Sequence, residues 1–338
     1  MASASTPNPA GSSGPAASLA HPPSPVHHVN PFVLYSAVVL LLLLWTVNYL
    51  VAKEGFKEID PLTLALMRVE LAALIFVPLF FIDRARSPHR RPTGREFLYL
   101  ALIAFLGLCI NQILFTVGLA LTTVGHSSLI IAIGPVNILL LARFMGMERL
   151  SAPKVAGITI SFVGVVVLAF EHGISLQAAT LRGDVFTLIA SLAFTGVTVL
   201  GKRVAGRFSS LTLNCYVYFL AGLILSPLTI WKCSQLNWRA VSWQGWWALV
   251  YMALGTSVVA YLMWFWALRH LAASRLGVFT YMQPVLGTLM GIYILREPFT
   301  FRLVVAGVLV LVGVMLTEWH PRWLADDEDE SIEEPAHS

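Results

Sequence analysis

Ten stretches of this chain run long and apolar between boundaries of charge, proline or glycine. They lie near 32–52, 62–82, 97–119, 125–146, 153–170, 184–204, 210–231, 244–266, 273–295 and 300–318. A helix crossing the hydrocarbon core of a bilayer needs roughly 20 mostly apolar residues. Each stretch meets or approaches that length. Strands are the poorer reading, because the runs are too long and do not alternate polar with apolar positions. The pattern predicts an all-α membrane protein with ten transmembrane helices.

Composition sharpens this. The chain is 57% hydrophobic and only 12% charged, where a soluble domain carries roughly 25% charged residues. If the N-terminus is cytoplasmic, fourteen Lys and Arg fall on the cytoplasmic side and seven on the other, with Arg68 inside a span. Arg84, Arg86, Arg90, Arg91 and Arg95 cast the strongest vote. The positive-inside bias places both termini in the cytoplasm. The net charge of +4 does not point to nucleic acid, since no basic patch lies on a soluble domain. Residues 1–31 are rich in Pro, Ala and Ser without Lys or Arg, and read as a disordered extension rather than a secretory signal. Residues 320–338 form an acidic tail. Cys109, Cys215 and Cys233 show neither paired nor metal-ligand spacing, so no disulfide framework, metal site or cofactor is expected.

The chain also repeats itself. A shift of 149 carries Lys53 to Lys202, Leu62-Thr63-Leu64 to Leu211-Thr212-Leu213, Pro78 to Pro227, Pro135 to Pro284, Glu148 to Glu297 and Gly164 to Gly313. A shift of 147 carries Ala120-Leu121 to Ala267-Leu268. Leucine matches come easily in apolar sequence; Lys, Pro and Glu in register do not. The halves are 32–171 and 184–319, each with five spans. An odd number sends the second half in from the opposite side, giving two inverted-topology five-helix repeats. That architecture serves alternating access around a midplane site.

The residues carrying the repeat resemble a known family. The first half reads Trp45-x-x-Asn48, Ala52-Lys53, Pro61, Arg68, Gly107, Gly118-Leu119-Ala120, Pro135, Glu148-Arg149, Gly157 and Gly164-Val165. The second ends with Pro284, Glu297-Pro298 and Gly313-Val314. Over 32–319 this resembles the EamA family of the drug/metabolite transporter superfamily. The resemblance implies a polytopic protein of the cytoplasmic or inner membrane that exports amino acids, related metabolites or drugs. Thr46, where the family usually has Gly, and Glu70, on a usually apolar face, depart from the pattern.

Polar groups within a bilayer are costly and need a reason. Asn48, Asn111, Gln112, His126, Asn137, Asn214 and Gln283 fall inside spans, as cavity lining or as hydrogen-bonded glue between helices. Asn48, Gln112 and Gln283 are the stronger cavity candidates, because the resemblance makes their helices cavity helices. Arg68 either meets a substrate carboxylate or snorkels to the interface. Glu70 is the proton-coupling candidate, against a structural hydrogen bond. Pro135 and Pro284 fall mid-helix at matched positions and predict kinks beside a substrate site, making Ile131, Asn137, Thr280 and Gln283 pocket candidates. Glu148 and Glu297, beside Arg149 and Arg296, offer gate ion pairs or local helix-end caps. The small-residue spacings Gly157 to Gly164 and Gly307 to Gly313 serve helix packing or a homodimer contact.

The expected function is a secondary transporter, an exporter of amino acids or related metabolites, with the bilayer and a small molecule as partners. A multidrug or nucleotide-sugar transporter on the same fold is the alternative. A nucleotide sugar would call for several cavity cations, and Arg68 alone is clearly embedded. No HExxH, GxSxG or P-loop occurs, which argues against an enzyme and against ATP as the energy source.

Overall fold

A computed structural model describes residues 30–86, 92–144, 152–169, 179–271, 276, 279–280 and 282–318. Among these residues there are helices and connecting turns and no strand. The helices are α1 Pro31–Gly55, α2 Pro61–Arg86, α3 Gly94–Leu121, α4 Val124–Ile131, α5 Gly134–Phe144, α6 Ala152–Ala169, α7 Ala179–Ala205, α8 Ser210–Ser234, α9 Trp243–His270, α10 Met282–Leu295 and α11 Phe301–Glu318. Six of them, α1, α2, α3, α7, α8 and α9, are long and apolar enough to cross a membrane. The remaining apolar helices are shorter, so the ten equal spans of the hydropathy pattern appear as long and short members. Glu148, Arg149 and the tails lie outside the described residues.

Local chemistry explains where helices start and stop. Asn30 accepts from Phe32 N at 2.9 Å just before Pro31, a residue suited to a helix start. Thr93 and Glu96 form a capping box on α3. Asp60 accepts from Thr63 N at 3.0 Å and Thr63 Oγ1 at 2.9 Å at the start of α2. Its repeat counterpart, Ser209, accepts from Thr212 N at 2.9 Å at the start of α8. Partial burial alone would push Asp60 up, but the Thr63 hydrogen bonds and the Lys232 ammonium together hold it below its ordinary value. Two lysines close helix ends in the same matched way. Lys53 Nζ donates to Thr122 O at 2.6 Å, ending α3; Lys202 Nζ donates to Leu268 O and Leu271 O at 2.6 and 2.7 Å, ending α9.

Packing follows the duplication. Helix α6 lies along α11, α2 along α8 and α4 along α10; α1 meets α9 as α7 meets α3. The most extensive contacts between halves have their partners under exchange of the halves. Some contacts join residues 149 apart: Ser161 Oγ donates to Val310 O at 3.4 Å, and a Cβ on Gly222 would stand 3.2 Å from that of Ala73. The α6–α11 pair is the closest. A Cβ on Gly313 would fall against Ser161 and 2.6 Å from Gly157 O, so only a residue without one lets the backbones meet. The interior is apolar around Leu41, Phe76, Tyr218, Trp264 and Phe265. The outer faces of α2, α8 and α11 carry exposed Phe81, Phe219, Leu223, Ile230, Val308 and Met315, a surface suited to lipid rather than water.

Candidate functional site

Between the halves lies a cavity with about 830 Å³ of empty space counted out to its mouth. Its wall carries six aromatic side chains, Trp45, Tyr49, Phe115, Phe194, Tyr261 and Trp264. Trp264 packs on both Trp45 and Phe194, with ring centroids 5.3 and 5.1 Å away. Among the rings stand polar side chains drawn from several helices, Asn48, Arg68, Asn111, Gln112, Ser191, Thr195 and Gln283.

Two wide helical turns position them. Residues Phe105–Gln112 of α3 and Tyr251–Val259 of α9 wind with i→i+5 hydrogen bonds, a local unwinding that often marks functional sites. The first ends on Asn111 and Gln112. The second carries Thr256 and Ser257, which hold Arg68: Nη2 donates to Thr256 Oγ1 at 2.9 Å and Nε to Ser257 Oγ at 3.2 Å. Thr256 spends its own proton on Met252 O at 2.7 Å, which leaves its lone pairs for the guanidinium. The Thr256 carbonyl accepts from Trp45 Nε1 at 3.3 Å.

Arg68 is the dominant feature. It is 4% exposed and lines the cavity. No carboxylate among the described residues pairs with it, and only two of its donors have protein acceptors. Inserting an arginine at the centre of a membrane helix costs roughly 2.5–3.5 kcal/mol. Beside it, Asn48 Oδ1, Gln112 Oε1 and Trp264 Nε1 are buried without a protein partner. Buried polar atoms are normally paired. An uncompensated cation, two free acceptors and a free N–H in one aromatic cavity suit a small ligand carrying both a carboxylate and a donor group.

Seven of the residues singled out from sequence line this cavity: Asn48, Arg68, Asn111, Gln112, Ile131, Thr280 and Gln283. Gln283 Oε1 accepts from Tyr49 OH at 3.4 Å. Asn137 stands behind the wall, donating to the lining residue Ser191 at 3.3 Å. Asn111 donates to Ala190 O and Asn214 to Ser210 O, both at 2.8 Å, so these two also bind backbone.

Glu70 lies elsewhere. Two residues along a helix from Arg68, it points about 200° away, into the α2–α8 contact. There Oε1 accepts from Thr229 Oγ1 at 3.2 Å. Glu297 accepts from Val124 N at 2.8 Å and Gly125 N at 3.3 Å, so it caps α4 rather than pairing with its neighbour Arg296. Arg296 takes the left-handed φ of 59°, turning the chain at that point.

The prolines act differently from a mid-helix kink. The fourth apolar stretch is two helices, interrupted at Ala132–Ile133, and Pro135 is the second residue of α5. Pro284 is the third residue of α10. Both stand in a first turn, where a missing N–H costs least. The interruption at 132–133 borders the cavity through Ile131 and Gly134.

The polar lining residues that sequence reading missed belong to α7. Ser191 and Thr195 line the cavity, with Phe194 between them. Thr187, Ser191, Thr195 and Thr198 recur at spacings of 4, 4 and 3 and all are buried. That hydroxyl stripe was a legible sign of an inward face.

Long apolar helices, a lipid-facing exterior and a central cavity with a buried cation define an integral membrane protein of transporter architecture. The model of the EamA-like transporter family matches residues 33–170 and 181–319. The chain belongs to that family. It is 27% identical to an uncharacterized transporter of Archaeoglobus fulgidus, over 82% of this chain and 94% of the relative. It is 25% identical to a "probable amino-acid metabolite efflux pump" of Escherichia coli, over 84% and 94% of the two chains. It is 26% identical to a "probable terminal-alkyne amino-acid exporter" of Streptantibioticus cattleyicolor, over 83% and 91%. One solved crystal structure superposes with a TM-score of 0.61 at 18% identity, covering 86% of this chain and 98% of the other, a likeness of fold.

Proposed function

We propose that the protein exports amino acids or closely related small metabolites by alternating access, from a cytoplasmic membrane in which both termini face the cytoplasm. On this reading its helices make ten spans in two inverted five-helix repeats. The observation that carries it is Arg68, a buried guanidinium with no carboxylate partner among the described residues, in a cavity with aromatic walls and unpaired acceptors. A substrate carboxylate completes the Arg68 fork, Asn48 and Gln112 carbonyl oxygens take its ammonium group, and the rings of Phe115, Phe194 and Trp45 take its side chain. The names of the relatives in Escherichia coli and Streptantibioticus support amino acids as the class. A nucleotide sugar suits the cavity less, because its phosphates would need more than one cation.

Purified protein in liposomes loaded with a labelled amino-acid pool tests this. Protein-dependent exit of particular amino acids is the expected result, and the labelled species that leaves names the substrate. A pool that stays inside, while labelled drugs or other metabolites leave, would overturn the amino-acid assignment.

A further inference from the structure

A second polar cluster stands about two helical turns from the cavity. His126, near the start of α4, meets Asp184, near the start of α7: Nδ1 lies 3.0 Å from Oδ2 and 3.2 Å from Oδ1. Thr122 Oγ1 donates to Asp184 Oδ1 at 2.6 Å. The two side chains are only 3% and 5% exposed. Next to them, Glu297 caps the first turn of α4, and Lys53 holds the Thr122 carbonyl within electrostatic reach of Glu297. A small crevice lined by Gly125, His126, Glu297 and Pro298 borders the imidazole.

Three features make this pair more than helix glue. Histidine is the side chain whose ordinary titration falls near neutral pH. A carboxylate–imidazole pair that takes one proton changes from net negative to neutral, a change that matters most in a buried site. The other carboxylates within helices lack this property. Glu70 has Thr229 for a partner, and Glu96 has Arg207 at 2.9 Å, a cation that does not titrate. Among the described residues, the charged groups of the neighbouring elements include Lys53 on α1, Arg182 on α7, Glu297 and Arg296 in the connection to α11, and Arg302 on α11, while Glu54 on α1, Arg95 and Glu96 on α3, Arg143 on α5 and Lys202 and Arg203 on α7 lie farther along their elements. Arg182, Arg296 and Arg302 are exposed. Helix α10 contributes only exposed Tyr293, and the α6 sequence holds only Lys154.

The pair is also wired to the cavity. Ile131 follows His126 by five residues, about 7.5 Å along the helix, and Ser191 follows Asp184 by two turns on the same face. Both residues line the cavity. A parting of α4 from α7 would separate His126 from Asp184 and expose both to solution.

We propose that the His126–Asp184 pair binds the proton exchanged for substrate, taking it up when α4 and α7 part and releasing it as substrate is loaded. This rests on the export reading above and reassigns the proton from Glu70 to the α4–α7 contact. Two measurements on the full chain in proteoliposomes test it: counterflow of a labelled amino acid at equal pH, and transport driven by a pH gradient. Asp184→Asn and His126→Gln are expected to keep counterflow and lose the gradient-driven component, whereas Glu70→Gln keeps both. Gradient-driven transport intact in Asp184→Asn overturns the proposal, and so does a wild type whose exchange ignores the gradient. If both variants fail to fold, wild-type protein in weakly buffered detergent with a pH dye decides: adding the exchanged amino acid releases about one proton per substrate, or the proposal falls. A wild type that exchanges no amino acid at all sinks the export reading, and this proposal with it.

Discussion

Lys53 and Lys202 occupy matched positions in the two halves and do the same job, each closing the carboxyl end of the third helix of its half. Their neighbourhoods differ. Around Lys53 stand Thr122, Asp184, His126 and Glu297, a set of titratable and hydroxyl groups. Among the described residues, Lys202 binds the carbonyls of Leu268 and Leu271. The position matching Asp184 is Tyr35, and the one matching His126 is Arg275. The cavity repeats the lesson, since Arg68 corresponds to Val217. Residues that survive duplication build helix ends and helix contacts; Arg68 and the His126–Asp184 pair break the symmetry. In an inverted repeat the departures from symmetry point to the chemistry.

That contrast can be broken at several places. The largest effect is expected from Arg68→Ala, an asymmetric residue. A charged hydrogen bond is worth about 1.5–3 kcal/mol, so the exchange KM should rise tenfold or more while the purified protein still elutes as a single folded species. Gly313→Val strikes a symmetric position instead. Overpacking of this kind costs about 1–3 kcal/mol, so its melting temperature should fall and the surviving folded fraction should bind substrate normally. The matched lysines give the sharpest pairing. Lys53→Met and Lys202→Met should each lower the melting temperature by a similar small amount, but only Lys53→Met should alter the pH dependence of transport, because Lys53 holds Thr122, which in turn binds Asp184.

The smallest effect concerns the matched helix starts. Asp60 titrates below its unfolded value, so its contribution is complete above the unfolded pKa and is lost as pH falls through the folded one. Its counterpart Ser209 carries no charge to lose. Melting curves between pH ~5 and ~3 should decline less in Asp60→Ser than in the wild type, over the ordinary carboxylate range.

Much of the scaffold was legible before any coordinates. Apolar run length identifies helices because the bilayer fixes their length, and matched Lys and Pro expose the duplication because apolar sequence does not place them by chance. Arg68, Asn48 and Gln112 could be singled out by the cost of polarity in lipid. What could not be read was direction: Glu70 lies two residues from Arg68, and only packing against α8 decides that it leaves the cavity. The interruption at Ala132–Ile133 was also hidden, because proline predicts a break more surely than its form. Asp184 escaped notice at the edge of an apolar run, since its meaning depends on His126, 58 residues away.

The account turns on Arg68 as the carboxylate anchor, and one competition measurement addresses it directly. Counterflow of the transported amino acid is measured while either a second amino acid or its decarboxylated amine is added, in wild type and Arg68→Ala. The account predicts that the amino acid competes at least tenfold better than the amine in the wild type, and that the variant loses this preference. Equal competition by acid and amine in the wild type, or an unchanged preference in Arg68→Ala, would contradict it.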